Sequence, residues 1–272
     1  MNRILDELKA ANAELMWQCD SCFGDLQVLQ SDRYRYLQVD GHVQSVMDLR
    51  ERHRACLPHA QWLNVALLSR PNTVLMAGLG GGDLIRQFRG AGLASHFSCC
   101  ELCPDILHAY HEYFVPESGE LGLEILQEDI NDFIPQCQRQ FDLIVLDVFS
   151  GSDQPDCLGE EAFFQNCFEC LDERGVLALN VSINEPSSLL QLALILRRVF
   201  SKKLLMMPVE GCDNVVMLAF KGKPLAGSND EFLLAIETLN KTLPSAIPVQ
   251  IERLVNSNVC DEFGELELWR LP

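Results

Sequence analysis

Apolar and polar positions follow two different rhythms in the first fifty residues of the chain. Over 1–17 the apolar side chains recur about every 3.6 positions, which predicts an amphipathic helix. Residues 25–30 and 34–39 instead form short strand-like runs, and Asp40-Gly41 is typical of a hairpin turn. We therefore predict a small antiparallel sheet ahead of the main domain.

From residue 73 onwards, short apolar runs alternate with segments of helical periodicity, which predicts an α/β domain with a mostly parallel sheet and helices on both faces. The predicted strands cover 74–77, 95–102, 123–126, 141–146, 175–181, 203–208 and 214–220. The predicted helices cover 84–88, 104–114, 131–138, 160–171 and 187–200. The chain then divides into an N-terminal helix and small sheet over 1–50 and an α/β domain over 51–272.

Two segments that flank this alternating region have weaker patterns. Residues 51–69 are predicted to be helical with a break at Pro58, because proline interrupts a helix interior. In the C-terminal tail we expect one helix over 230–239 and a strand over 249–254.

The charge of the chain narrows the choice of partners. There are 39 acidic and 21 basic residues, with a formal net charge of −18. Nucleic acid is not an expected partner, because neutralising its phosphates requires lysine and arginine. A cationic substrate would be attracted to such a surface, although acidity also serves solubility alone.

No apolar stretch approaches the length of a membrane span. The first 17 residues carry Asp6, Glu7 and Glu14 and lack the apolar segment of a signal peptide. We therefore expect a cytoplasmic protein without a membrane partner.

The chain has twelve cysteines, which we expect to be reduced thiols in the absence of a secretory signal. The pair Cys19–Cys22 has the spacing of a metal site but lacks a clear second pair of ligands. We therefore expect no bound metal, and the role of these two thiols stays open.

A glycine-rich turn, GLGGGD, follows the first strand of the alternating region. Glycine at Gly78, Gly80 and Gly82 permits a tight turn and lets a ligand approach the main chain, with Asp83 opening the next helix. Such a turn alone is equally a strand–helix connection without a ligand. Glu101, about twenty residues further on at the end of the next strand, favours a nucleotide, because a carboxylate there can accept hydrogen bonds from ribose hydroxyls.

Two more acidic residues follow predicted strands. Asp129 comes after the third strand, where an acid can accept from the adenine amine, although Glu128 competes and an ordinary loop charge is as good an explanation. Asp147 ends the most apolar strand and is expected to point into the crevice at the carboxyl ends of the strands. It could deprotonate or orient an attacking amine, or simply cap a loop.

Together these motifs resemble the spermidine synthase (polyamine aminopropyltransferase) family over about residues 25–220. The hairpin residues 35–45 match the family's arginine–aromatic–leucine, Asp-Gly and Gln-Ser/Thr segment, which ordinary methyltransferases lack. Residues 171–181, with Gly175 and Asn180, match the strand after the family's catalytic loop. The resemblance implies a Rossmann-like fold of the S-adenosylmethionine-dependent methyltransferase type and a homodimer.

Members of that family transfer an aminopropyl group from decarboxylated S-adenosylmethionine to putrescine or a similar amine and release methylthioadenosine. By resemblance, Asp147 receives the amine proton, Glu101 holds the ribose and Asp129 holds the adenine. The family's glutamine and histidine, which line the nucleotide and amine pockets, match Gln44 and His59.

Three positions depart from the family pattern. The aspartate that grips the aminopropyl amine falls on Gly81, with Asp83 as the nearest substitute. The second acid after the fourth strand falls on Ser150, with Asp153 as the nearest replacement in the amine pocket. The usual tyrosine before the pocket histidine is Pro58. Fewer acids should weaken diamine binding, because each buried ammonium needs a partner.

Three functions stay open on the sequence alone. The leading hypothesis is an aminopropyltransferase that acts on a polyamine. The second is an S-adenosylmethionine-dependent methyltransferase, since Gly81 removes the acid that would prefer the decarboxylated arm. The third is a non-catalytic protein that binds a nucleotide or a protein partner. The acceptor is not disclosed by any of these patterns.

Overall fold

The N-terminal region contains an antiparallel sheet. A computed structural model describes residues 3–115, 119, 121–148, 155–182 and 186–270. Four strands in the order β1-β2-β3-β4 follow a short helix. The predicted turn at Asp40-Gly41 is confirmed, and both residues have positive φ, at 47° and 76°. The elements are α1 (Arg3–Ala10), β1 (Glu14–Ser21), β2 (Gly24–Gln30), β3 (Tyr34–Val39) and β4 (His42–Asp48).

The prediction of one helix over 1–17 is wrong beyond Ala10. Residues 14–21 form β1, which pairs with β2 from Glu14 opposite Gln30 to Ser21 opposite Gly24. The apolar residues up to Trp17 fit either a helix or a strand. The hydrogen-bonded pairing with β2 selects the strand. The ring of Trp17 lies 5.0 Å from the ring of His108 in the main domain.

A second sheet forms the centre of the molecule, and the predicted α/β class is confirmed. Its strands lie in the order β10-β11-β9-β8-β5-β6-β7. The five neighbouring strands β9, β8, β5, β6 and β7 are parallel, while β11 is antiparallel to both β9 and β10. They are β5 (Thr73–Ala77), β6 (His96–Cys100), β7 (Leu123–Leu126), β8 (Phe141–Leu146), β9 (Leu171–Ser182), β10 (Leu204–Pro208) and β11 (Asn214–Phe220).

The remaining helices are α2 (Pro58–Leu63), α3 (Asp83–Gly90), α4 (Pro104–Ala109), α5 (Ile130–Phe133), α6 (Glu161–Cys170), α7 (Pro186–Val199), α8 (Asn229–Asn240) and α9 (Ile251–Ser257). Short 3₁₀ segments cover Asn64–Ser69, Ile134–Gln136, Asp156–Gly159 and Glu267–Arg270, and a π-helical turn covers Tyr110–Phe114. Among the described residues, none of these helices has the length and apolar character needed to cross a bilayer.

Two further sequence predictions need correction. Residues 51–57 are not helical, and α2 begins at Pro58, a position where proline suits the first turn of a helix. The predicted strand over 249–254 is replaced by α9. The side chain of Asn258 accepts a hydrogen bond from the N–H of Met206 at 2.8 Å and donates to its carbonyl at 2.8 Å, so part of the β10 edge is satisfied without another strand.

Side chains of the central sheet alternate between two apolar clusters, one on each face. Val74 and Met76 of β5 belong to the first cluster, and Leu75 and Ala77 belong to the second. The first cluster continues into β2 and β3, so the N-terminal sheet shares a core with the main domain. This shared core holds the antiparallel sheet against the same end of the central sheet where ligands bind in such folds.

The twelve cysteines are all free thiols. Cys19 and Cys22 lie beside Cys103 and Asp105, and burial is the main cause that raises the pKa of each of the two thiols to about 11. Within the described parts of the chain, no group of three or more His, Cys, Asp or Glu side chains is arranged to hold a metal ion.

The end of β4 is fixed by one buried carboxylate. Asp48 is fully buried, and it accepts hydrogen bonds from the Arg33 guanidinium at 3.0 and 3.1 Å. It also accepts from the N–H groups of Arg50 at 3.0 Å and Glu51 at 3.3 Å. Burial alone would raise the pKa of Asp48, but these donors hold it below its usual value.

We predict that Asp48→Asn lowers the free energy of unfolding at pH 7 by roughly 1–3 kcal/mol, because it weakens charge-assisted hydrogen bonds to a buried group. A folded pKa below the usual value stabilises the protein above that value, and the contribution disappears as the pH falls through the folded pKa. Urea unfolding of both proteins between pH 7 and pH 3 should therefore show a gap that narrows below about pH 4. A gap that is constant with pH would contradict this role.

Candidate functional site

A cavity of about 220 Å³ lies at the carboxyl ends of β5, β6 and β8. The strand order reverses beside β5, which is where open α/β sheets bind their ligands. Eight residues selected from the sequence line it, namely Gln44, His59, Gly78, Gly80, Asp83, Glu101, Asp129 and Asp147. Asp153 lies outside the described residues.

The glycine turn forms the floor of this cavity. Gly78 has a φ of +87°, and a Cβ there would lie 2.3 Å from the carbonyl oxygen of Asp147. Gly80 has a φ of +51°, and a Cβ there would lie 2.6 Å from the hydroxyl of Ser45. Both positions therefore need glycine for conformation and for close packing. Gly82 is not part of the lining, and its missing Cβ would meet the ring of Tyr110 at 2.5 Å, so glycine there serves packing rather than ligand contact.

Glu101 lies directly after β6, on one side of the glycine turn. Its two carboxylate oxygens accept hydrogen bonds from the N–H groups of Leu79 and Cys103, each at 2.9 Å. The side chain is buried, and burial raises the pKa of Glu101 despite these donors. The N–H groups of Gly80 and Leu102 also interact with this carboxylate and act to lower its pKa, so a hydroxyl group in the cavity would share the Glu101 oxygens with main-chain donors.

Asp147 lies after β8, on the other side of the same turn. One of its oxygens accepts a hydrogen bond from the Asn180 side-chain amide at 2.9 Å. His59 and Asp83 lie close enough for their charges to interact with Asp147. Burial lowers the pKa of His59, and the two carboxylates oppose this only in part, so its imidazole is neutral at pH 7.

Asp83 also lines the cavity, but its carboxylate already has partners. One oxygen accepts from the Val46 N–H at 3.1 Å, and the other forms an ion pair with the buried guanidinium of Arg86. Burial is the main cause that raises the pKa of Asp83, and Arg86 and Val46 oppose it. Its capacity to hold an additional ammonium group is therefore smaller than the sequence pattern indicates.

Gly81, where the family pattern has an aspartate, has no room for a side chain. A Cβ at this position would lie 2.9 Å from the ring of Phe114 and 3.0 Å from the Cβ of Ser45. The N–H of Gly81 donates to the Ser45 hydroxyl at 2.8 Å, so this hydroxyl fixes the turn against β4. The packing around position 81 thus requires the glycine that replaces the family's aspartate.

Asp129 has a structural role in addition to its place in the cavity wall. It lines the cavity, and one of its oxygens accepts from the Asn131 N–H at 2.8 Å as the N-cap of α5. Glu128 is exposed and lines the cavity too. Either acid is placed to accept from a donor at this end of the cavity.

Sequence reasoning missed several residues of the site. Ser45 packs beneath the turn, and Asn180 holds Asp147. Both lie in segments that carried the family resemblance, so a signal was present without an assigned role. Cys157 and the apolar side chain of Phe23 line the cavity, and no motif marked them. Phe23, in the β1–β2 turn, is brought there by the shared core.

Comparisons with known proteins agree with this geometry. The chain is 27% identical over 207 residues to a polyamine aminopropyltransferase of Chromobacterium violaceum, covering 74% of this chain and 77% of that protein. The polyamine aminopropyltransferase of Neisseria meningitidis serogroup A is 26% identical over 209 residues, covering 75% and 79%. The predicted resemblance to this family is confirmed. A family model of S-adenosyl-L-methionine-dependent methyltransferases matches residues 101–183.

Solved structures agree in fold. A probable spermidine synthase from Corynebacterium glutamicum is similar with a TM-score of 0.70 at 15% identity, covering 88% of this chain and 89% of that chain. This similarity confirms the predicted Rossmann-like fold with an N-terminal antiparallel sheet.

We predict that Gly78→Ala destabilises the protein more than Gly92→Ala. Both residues have positive φ, at +87° and +77°, but only Gly78 has a neighbour within 4 Å of the added Cβ. The left-handed backbone costs each variant roughly 1–2 kcal/mol. The collision with the Asp147 carbonyl should add about 1–3 kcal/mol for Gly78→Ala alone, measured by urea unfolding. Equal losses in the two variants would show that the main chains after β5 and β8 are not in close contact.

Proposed function

We propose that this protein transfers an aminopropyl group from decarboxylated S-adenosylmethionine to an amine and releases methylthioadenosine. The observation that carries the proposal is the placement of Glu101 and Asp147 on opposite sides of the glycine turn, on the wall of one cavity. The curated relatives that share most of the chain have this activity in their names.

In the proposed complex, the ribose of the donor nucleotide lies at Glu101 and its adenine lies at the end of the cavity that follows β7. Glu101 would accept hydrogen bonds from the ribose hydroxyls and share its oxygens between them and its main-chain donors. Asp129 or Glu128 would accept from the adenine amine, at the end of the cavity that follows β7. One water molecule requires about 10–15 Å³ of cavity volume measured in this way. The cavity of about 220 Å³ could therefore hold many water-sized groups, which is the scale of a nucleoside.

The chemistry requires little more than positioning. The lone pair of a neutral amine attacks the carbon next to the sulfonium, a C–N bond forms, and the C–S electron pair returns to sulfur. The amine then loses a proton, and Asp147 is placed to accept it. Holding the two reactants in line supplies much of the rate, because the sulfonium is already an activated leaving group. The neutral imidazole of His59 adds no positive charge beside a cationic donor.

The acceptor is proposed to be a small amine that carries at least one ammonium group. The net charge of −18 would attract it, and Asp147 in the cavity wall would be the acid beside the amine. Asp153 and Gln44 are the further residues that the resemblance assigns near the substrates. We further propose that the protein is a cytoplasmic homodimer and that the reaction needs no metal, nucleic acid or membrane.

We predict that the protein releases methylthioadenosine from decarboxylated S-adenosylmethionine and an amine, and that Asp147→Asn lowers kcat at least about a hundredfold. Chromatography of methylthioadenosine with putrescine, spermidine and cadaverine as acceptors measures this. A rate with every amine that does not exceed the rate of Asp147→Asn would contradict the proposed activity.

A methyltransferase is the second candidate, because one specific observation favours it. The position that would hold an acid against the aminopropyl ammonium is Gly81, which has no space for a side chain. The methyltransferase family model also covers Glu101 and Asp147. Intact S-adenosylmethionine carries a carboxylate on its arm, and loss of the acid removes a repulsion against it.

Calorimetry with both nucleotides separates the two candidates. We predict that the wild-type protein binds decarboxylated S-adenosylmethionine more tightly than the intact form, because the carboxylate of Asp147 in the cavity wall would repel the carboxylate of the intact arm. Glu101→Gln should weaken binding of both nucleotides by about tenfold or more, since it removes a charged acceptor for the ribose. Tighter binding of the intact form would favour the methyltransferase, and binding without turnover would indicate a non-catalytic protein.

A further inference from the structure

Two side-chain amides, a buried one at Asn180 and a half-buried one at Asn214, connect β11 to Asp147. Asn180 lies in β9, next to β8, and its side chain is 1% exposed. Its side-chain N–H donates to Oδ1 of Asp147 at 2.9 Å. Its side-chain oxygen accepts from the Nδ2 amide of Asn214 at 3.0 Å. Asn214 begins β11, so these hydrogen bonds cross three neighbouring strands at one edge of the sheet.

The two hydrogen bonds give the Asn180 amide a single orientation. A side-chain amide has a donor end and an acceptor end. A half-turn of the Asn180 amide would place its oxygen against the carboxylate of Asp147 and its N–H groups against those of Asn214. Both hydrogen bonds would then become repulsive contacts, so Asn214 acts on Asp147 through Asn180.

The surroundings of Asn180 make a polar residue there unusual. Its neighbours in β9, Leu179 and Val181, are buried and apolar, and an apolar run, Val176 to Leu179, precedes it. Parallel strands that are covered on both faces are normally filled by apolar residues. Burying an amide costs free energy that only its hydrogen bonds offset. The position of Asp147 is the feature that these hydrogen bonds determine.

We propose that Asn180 is a positioning residue for the transfer reaction and that Asn214 fixes the orientation of Asn180. This inference rests on the proposed function, in which Asp147 accepts the proton of the amine. With Oδ1 engaged by Asn180, one orientation of the carboxylate is favoured, and Oδ2 is the oxygen left for the amine. The carboxylate that accepts the proton is then oriented before the amine binds. Such preorganisation lowers the barrier of the reaction.

The variants Asn180→Leu, Asn214→Leu and the double variant test this order of action. Asn180→Leu should lower kcat about tenfold to a hundredfold, the range typical of residues that orient a reactive group. The KM for the nucleotide should stay within about twofold, because Glu101 and the glycine turn are untouched. Asn214→Leu should lower kcat about threefold to tenfold, and the double variant should be no slower than Asn180→Leu.

Asn258→Leu is the matched control. This half-buried amide also makes side-chain hydrogen bonds to a strand, at Met206 of β10, and it does not line the cavity. It should lose stability in urea unfolding and keep its kcat. If Asn258→Leu lost as much kcat as Asn180→Leu, the effect would be general destabilisation, and the proposal would be overturned.

Two results with an active wild-type protein contradict the proposal directly. One is an Asn180→Leu variant with unchanged kcat, and the other is a double variant whose loss equals the product of the single losses. Crystal structures of the wild type and of Asn180→Leu give a readout that needs no activity. A rotated Asp147 carboxylate supports the inference, and an unmoved one overturns it even if the protein proves inactive as a transferase.

Discussion

The close approach of two stretches of main chain, one after β5 and one after β8, is the constraint on which the site depends. The carbonyl oxygen of Asp147 lies too near to Gly78 for that residue to carry a Cβ. Two main-chain segments can approach so closely only where one residue is glycine. The turn therefore leaves the space of the cavity open. Glu101 on one side and Asp147 on the other then face a common cavity instead of separate surfaces.

The N-terminal sheet completes that cavity through specific contacts with the turn. The hydroxyl of Ser45 accepts from Gly81, and the N–H of Val46 donates to Asp83, so β4 is joined to the end of the turn where α3 begins. Asp48 fixes the point at which β4 leaves the sheet towards α2, the helix that carries His59. The N-terminal sheet thereby covers a central domain whose fold is shared with methyltransferases, and it supplies part of the cavity lining.

Sequence patterns predicted the architecture well because strand–helix alternation depends on local periodicity. They also placed Glu101 and Asp147 in one crevice, since carboxyl ends of parallel strands meet at one edge. They failed for residues 14–17 and 249–254, where pairing with β2 and the side chain of Asn258 decide the structure. The ion pair of Asp83 with Arg86 was equally hidden, because only tertiary packing shows which partner a carboxylate has.

A crystal structure of the protein with methylthioadenosine bound is the most direct measurement of the central claim, which is that one nucleoside lies between Glu101 and Asp147. Both ribose hydroxyls should lie within about 2.5–3.0 Å of the Glu101 carboxylate, and the thioether sulfur should lie on the side of the glycine turn that faces Asp147. A nucleoside bound elsewhere, or one whose ribose points away from Glu101, would contradict it.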